Sequence, residues 1–269
     1  MMNKSEFYNL QLSFTENLFN DLFNSSEFVI SGKGRLGNHL VKVDHENISI
    51  VRTTTRYTIP ATPFSEIHNS LIKSINKKIL SENIDISEQN INNALIEVYD
   101  STYSKMNFHS DQALDLEEKS CIALFSCYEN PDELEEFHLR KLVVKDKTTE
   151  EEFEIVLSHN SVILFSVETN KKFQHKIILD SKQNSKTCTD NKWLGITFRT
   201  SKTYIQFKNN LPYFSTGESF TLADKEQESE FFKLRGQENK SLDFTYPNLS
   251  YTISPADLML PESKNDLNI

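Results

Sequence analysis

Residues 92–111 read NNALIEVYDSTYSKMNFHSD, and this stretch decides the fold. Ala94 to Tyr99 is aliphatic, β-branched and aromatic and is closed by Asp100 and Ser101, the composition of a strand ended by a turn. A second short strand, KMNFHSD, follows, and in it His109 and Asp111 stand two apart. Side chains alternate along a strand, so an imidazole and a carboxylate point to the same face.

The same texture continues toward the C-terminus in CIALFSCY, LRKLVVK, EFEIVLS, SVILFSV, FQHKIIL, LGITFRT and TYIQF. Short strands separated by turn signals every ~8–12 residues are the pattern of a sandwich or barrel. The expected fold is mainly β with flanking helices (α+β), its core a double-stranded β-helix, or jelly roll, at 92–207. Residues 208–269 then form a C-terminal extension whose aromatics, through Tyr251, fold back on the core, with a mobile last few residues.

On the N-terminal side, Phe7, Leu10, Phe14, Leu18 and Leu22 recur at helical spacing, predicting an amphipathic helix over 5–23. Thr62 and Pro63 are expected to start a second helix that buries Phe64, Ile67, Leu71 and Ile75. Between the two lie the β-like runs FVIS, HLVKV and ISIVRTTT, divided by the turn-forming GKGRLG. Residues 1–91 are thus read as a separate N-terminal region.

A chain of 269 residues with 37% hydrophobic content builds a substantial core without staples. Its three cysteines, Cys121, Cys127 and Cys188, are an odd number, and two lie in an apolar run, which fits a reducing compartment. The N-terminus lacks a signal-peptide pattern and no apolar run reaches membrane-spanning length, so the expected location is cytoplasmic or nuclear. A formal net charge of −10 repels phosphate, so any nucleic-acid contact must rest on a local basic patch.

His175, in FQHKII, comes 64 residues after Asp111 on another predicted strand. Two imidazoles and a carboxylate on one face of an octahedron leave three positions open, which suits iron(II) binding a keto acid and dioxygen together. Zinc accepts the same ligands with one open position. A histidine next-but-one to an aspartate arises often by chance, and a single histidine is more often a surface or hydrogen-bonded core residue. Arg199, 24 residues after His175, adds a guanidinium that can grip the distal carboxylate of 2-oxoglutarate; its plainer role is a structural ion pair.

On NNALIEVYDSTYSKMNFHSD, HNSVILFS, FQHKI and GITFR, the sequence resembles the AlkB-like branch of the 2-oxoglutarate and Fe(II)-dependent oxygenases. A weaker likeness of VRTTTRYTIP to the family's substrate lid extends the match over roughly residues 50 to 200 and makes 1–91 the helical and lid region. The resemblance implies a dioxygenase using Fe(II), 2-oxoglutarate and O2, with His109, Asp111 and His175 as catalytic metal ligands. Arg199 is then the second arginine of a paired-arginine strand, and Tyr99 hydrogen-bonds the cosubstrate unless it is an ordinary buried aromatic.

Three positions depart from that pattern. Glu97 stands where the family has asparagine, Trp193 where it has the first arginine, and Ala113 where it has an acid that touches the substrate base. The grip on 2-oxoglutarate therefore falls to Arg199 alone or with Lys192. The expected reaction is hydroxylation or oxidative demethylation of an alkylated, single-stranded nucleic acid. Lys33, Arg35, Arg52 and Arg56 would meet its phosphates and Tyr57 or a neighbouring aromatic would stack a flipped base, although a solvated hairpin is the plainer role of that stretch. A protein or small-molecule hydroxylase is the rival, and a non-catalytic jelly-roll binding protein is the third reading.

Overall fold

The computed structural model describes residues 6–104, 106–179 and 190–264. The chain opens with β1 (Tyr8–Gln11) and a short helix α1 (Phe19–Asn24). A hairpin follows, β2 (Val29–Gly32) and β3 (Arg35–Val41), turning on Lys33 and Gly34. Gly34 has φ 69°, and a Cβ there would collide with the side chains of Asp100 and Thr102, so only glycine fits the turn. Short strands β4 (Val43–Asp44), β5 (Asn47–Ser49) and β6 (Thr62–Pro63) lead to helix α2 (Glu66–Ser81).

The jelly roll continues with β7 (Asn93–Tyr99), β8 (Cys121–Tyr128), β9 (Arg140–Asp146), β10 (Glu152–Val156) and β11 (Ser161–Ser166). A short helix, α3 (Val167–Lys172), precedes β12 (Phe173–Leu179) and β13 (Trp193–Arg199). Beyond these come β14 (Tyr204–Lys208), β15 (Leu211–Phe214), β16 (Thr221–Leu222), helix α4 (Lys225–Lys240) and β17 (Tyr251–Thr252).

The larger sheet runs β1-β11-β8-β13-β7-β3-β2 with β6 alongside β3, and the smaller runs β10-β9-β12. The two pack face to face over Tyr99, Leu124, Leu142, Val144, Phe165 and Ile177. The other face of the larger sheet, with Ile96, Phe125 and Phe198, is covered by Leu71, Ile75 and Ile79 of α2. Every residue of β8 is buried because both its faces are covered, which is why CIALFSCY reads as a continuous apolar run. Each such aliphatic or aromatic side chain contributes about 1.5–3 kcal/mol of burial. This is the mainly-β, helix-flanked jelly roll that the strand spacing predicts.

The N-terminal segment departs from expectation. The α-helix predicted over 5–23 is reduced to α1, Phe19–Asn24, at its C-terminal end, and Tyr8–Gln11 instead pairs with β11, from Tyr8 opposite Leu164 to Gln11 opposite Ser161. Tyr8, Leu10 and Leu12 alternate with Asn9 and Gln11, so a two-residue period is present beneath the helical spacing, and the open edge of β11 selects it. Thr62 and Pro63 do not start α2, because they pair in parallel with Leu40 and Val41. Ser65 caps the helix, its backbone N–H donating to His68 Nδ1 at 3.0 Å. β2 and β3, from the region read as helical and lid-forming, extend the larger sheet.

Cys121 and Cys127 are free and buried, and burial pushes the Cys121 thiol up to about 11, so neither is a reactive thiolate. Cys188 and the last residues, 265–269, lie outside the described residues. Among the described residues no helix is long and apolar enough to cross a membrane.

Candidate metal centre

His109 and His175 come together because their backbones pair. His109 N–H donates to His175 O at 3.0 Å, and His175 N–H donates to His109 O at 2.7 Å, so the HxD segment adds an antiparallel bridge to the edge of β12. The ring centroids are 4.7 Å apart. Asp111 Oδ1 lies 3.5 Å from His175 Nε2, and one ligand atom from each of the three residues falls within 4.8 Å of the others. The strand predicted over this segment is not formed: among its described residues His109 makes a single isolated bridge, and it is that bridge to β12 which brings His109 and Asp111 to His175.

His109 Nδ1 lies 3.0 Å from the carbonyl of Asn107. A carbonyl only accepts, so the proton sits on Nδ1 and the Nε2 lone pair is left for a metal. Burial pushes His109 down to about 3, and the neighbouring His175 adds to the effect, so the ring is neutral at physiological pH. Asp111 is held from several sides. Asn170 of α3 accepts its N–H at 2.8 Å and donates to its carbonyl at 2.7 Å. Arg199 donates Nε to Oδ2 at 2.9 Å. Burial opposes the charge on Asp111, but Arg199 overcomes it and keeps the carboxyl well below the usual carboxylate range.

The three residues face an inner cavity of about 70 Å³ between the two sheets, walled by Leu124, Leu142, Phe165 and Ile177 and carrying Arg35 and Arg199. It shares Arg35, His109, Asp111 and Arg199 with a polar cavity of about 480 Å³ that is also lined by Thr53, Thr54, Thr55, Phe108, Gln112 and Asn239. Arg199 Nη1 is buried without a protein partner, as an anion in the inner cavity would require. Two imidazoles, one ionised carboxylate and an orphaned guanidinium N–H are a donor set that fits a divalent metal beside an acidic ligand.

A sequence profile of the 2OG-Fe(II) oxygenase superfamily matches residues 21–199, more than half of the chain. The chain belongs to the 2OG-Fe(II) oxygenase superfamily. It is an Fe(II) and 2-oxoglutarate-dependent dioxygenase, with O2 as the second cosubstrate. A solved structure described as "The structure of OsALKBH1" is similar at a TM-score of 0.46 and 12% identity, over 72% of this chain and 96% of that one. No curated protein matches the sequence.

The other residues singled out in this oxygenase's sequence are dispersed. Tyr99 is fully buried and donates its hydroxyl to Glu97 Oε2 at 2.9 Å, so that proton is already committed. Lys192 does not reach the cavity; it is half-exposed and pairs with Glu129 at 3.4 Å, because it precedes β13 at the sheet's rim. Arg52 is buried, bound to Asp115 at 2.7 Å and to the carbonyls of Leu249 and Tyr251, so it is a structural pair and not a phosphate contact. Arg56 is held by Glu228. Tyr57 is 0% exposed and stacks no base; its ring packs edge-on to His39. Lys33 is exposed at the hairpin turn, and Arg35 turns inward onto Glu97 and lines both cavities. Ala113 belongs to a separate cleft of about 430 Å³ that contains no member of the triad.

Residues of helix α4 hydrogen-bond the backbone around Asp111. Asn239 Oδ1 accepts from Ser110 N–H at 3.0 Å, Glu238 Oε1 accepts from Ala113 N–H at 2.8 Å, and Arg235 donates to the Ser110 carbonyl. Helix α4 thereby hydrogen-bonds the backbone on both sides of Asp111, although it lies outside the matched span. Phe231, Arg235 and Glu238 share a buried helical face, but two of the three are charged, so no apolar pattern in the sequence marks these polar residues as turned inward.

Proposed function

We propose that His109, Asp111 and His175 hold the iron of this dioxygenase, and that it hydroxylates or oxidatively demethylates an alkylated nucleobase in single-stranded nucleic acid, in the manner of the AlkB-like branch. The observation that carries the metal assignment is the meeting of these three ligand atoms within 4.8 Å beside the unpartnered Arg199 Nη1. When bound, iron(II) with 2-oxoglutarate and dioxygen supplies an oxidant for a C–H bond, leaving succinate and carbon dioxide.

The chain's own groups supply placement. Arg199 fixes the carboxylate of Asp111, Asn170 holds the Asp111 backbone, Asn107 fixes the tautomer of His109, and Leu124, Leu142, Phe165 and Ile177 form the apolar wall of the inner cavity. For the substrate, Gln112 is 6% exposed, lines the outer cavity, and has neither Nε2 nor Oε1 paired. A primary amide offers donor and acceptor side by side, the complement of a base edge. Phe108 lines the same cavity with Lys176 Nζ 3.9 Å from its ring centroid, a surface for a base or sugar with a cation for the following phosphate.

A protein or small-molecule substrate is the second reading, favoured by the commitment of Arg52 and Arg56 to acidic partners and by the net charge of −10. Succinate release from 2-oxoglutarate, wild type against His109→Ala, tests the metal site without a known substrate. Binding to alkylated single-stranded oligonucleotides across a salt series tests the substrate: a steep fall with salt supports nucleic acid, and no binding at low salt removes it.

A further inference from the structure

The inner cavity leaves one question of chemistry. The distal carboxylate of 2-oxoglutarate is an anion that must be met by a cation once it is out of water. Two guanidinium groups line that cavity, Arg35 and Arg199. Arg199 belongs to the metal end, where Nε and Nη2 are both on Asp111 Oδ2.

Arg35 belongs to the other end, and the sheet register shows why. Arg35 stands opposite Tyr99 on β7, and Tyr99 stands opposite Trp193 on β13. Directly opposed residues of an antiparallel sheet point to the same face, so the three occupy one rung of the inner surface. Trp193 holds the position where the resemblance expects an arginine. Its indole is buried and roofs Gly195, where any Cβ would collide with the ring. A charged side chain is thus missing from β13 and present on the same rung two strands away.

Glu97 fits this arrangement. Its Oε1 accepts Arg35 Nε at 2.6 Å and also pairs with Nη2, while its Oε2 accepts the Tyr99 hydroxyl. Those contacts use the Nε side of the guanidinium, and a planar guanidinium has a second, end-on edge of N–H groups for another carboxylate. Tyr99 and Tyr103 place their ring centroids 5.9 and 5.7 Å from Arg35 Cζ and hold the group on its aromatic side. Burial works against the charge of Arg35, and Glu97 more than restores it.

We propose that Arg35 of β3 is the residue that binds the distal carboxylate of 2-oxoglutarate, with Glu97 and Tyr99 as positioning residues that aim it. The assignment rests on the metal-triad reading above. It makes Glu97 and Trp193 a compensated pair of substitutions and gives Arg35 a cosubstrate role in place of a phosphate contact.

The test compares 2-oxoglutarate with 2-oxobutyrate, a keto acid that lacks the distal carboxylate. Each is titrated into the anaerobic iron(II)-loaded protein and read by the fluorescence of Trp193, the one tryptophan of the chain. Wild type should prefer 2-oxoglutarate by about 100-fold, the scale of a charge-assisted two-point contact. The double variant Arg35→Met, Glu97→Gln leaves no unpaired buried charge; its preference should fall below about tenfold, with 2-oxobutyrate affinity held near wild type. An unchanged preference overturns the proposal. Arg35→Lys, which keeps the charge and loses the fork, serves if the double variant does not fold: a preference about tenfold lower supports the proposal and an unchanged one overturns it. Wild type that binds neither keto acid overturns the metal-site reading and this assignment with it.

Discussion

Arg199 grips one oxygen of Asp111 with two nitrogens, Nε at 2.9 Å and Nη2 at 2.8 Å, while the other oxygen stands 3.5 Å from His175 Nε2. The carboxylate is therefore shared, one oxygen given to a permanent cation and the other turned toward the imidazoles. Both charges are more than nine-tenths buried, so neither finds water if its partner is removed.

Replacing Arg199 by methionine should destabilise the metal-free protein by about 3–5 kcal/mol, because Asp111 is left buried and uncompensated. A bound divalent ion supplies the missing positive charge, so the loss should shrink when metal is present. Thermal melts of Arg199→Met with and without anaerobic iron(II) measure this as a larger metal-induced rise in Tm than wild type shows. Equal losses in both conditions would mean that Asp111 does not face the metal.

Glu238 should matter to a site it never touches. Its carboxylate accepts the Ala113 N–H and pairs with Arg235, which in turn holds the Ser110 carbonyl. Glu238→Ala frees a buried N–H and a buried guanidinium, at a cost of about 2–4 kcal/mol, and loosens the segment that aims Asp111. Iron(II) affinity should fall about tenfold or more, while Glu226→Ala, at the exposed start of the same helix, should leave it unchanged. Wild-type affinity in Glu238→Ala would show that α4 only packs beside the site.

What the sequence reveals here depends on range. His175 and Arg199 are legible because each lies in a strongly patterned strand, whereas the HxD pair is legible from its spacing alone, since its segment forms one bridge and no strand. The fate of Arg35, Arg52 and Arg56 is not legible, because their partners Glu97, Asp115 and Glu228 lie 62, 63 and 172 residues away and no local pattern encodes the pairing. A basic stretch read in isolation looks like a phosphate site, whereas the fold pairs all three arginines with carboxylates of its own. The N-terminal segment fails differently: Phe7, Leu10 and Phe14 satisfy a helical period while Tyr8, Leu10 and Leu12 satisfy a strand, and only the open edge of β11 decides between them.

Gly195 and Trp193 form a packing pair that a single methyl group can disturb. A Cβ at 195 would strike the indole, which is buried beside Tyr99 at a centroid distance of 4.9 Å. Gly195→Ala should cost about 1–3 kcal/mol and shift the tryptophan emission as the ring leaves its site. Adding Trp193→Leu should recover most of the stability lost in Gly195→Ala, measured against Trp193→Leu alone. Additive losses in urea unfolding would contradict the predicted contact.

Asp257 gives the protein a pH dependence unrelated to the metal site. Burial pushes its carboxyl up from 3.8 to about 7, with the charge of Asp115 adding to the effect and Arg52 opposing it, while Thr252 Oγ1 donates to Oδ2 at 2.5 Å. A carboxyl whose folded pKa exceeds its unfolded one binds more protons in the native state, so its contribution is complete below about pH 4 and is lost as pH rises toward about 7. Across that window this one group should lower stability by up to about 1 kcal/mol per pH unit, less where solvent reaches the edge of the residue. Asp257→Asn keeps the shape and the acceptor for Thr252 but cannot ionise. Its urea midpoint should therefore fall less than that of wild type between about pH 5 and 7, and parallel curves for the two proteins would show that Asp257 is already ionised in the fold.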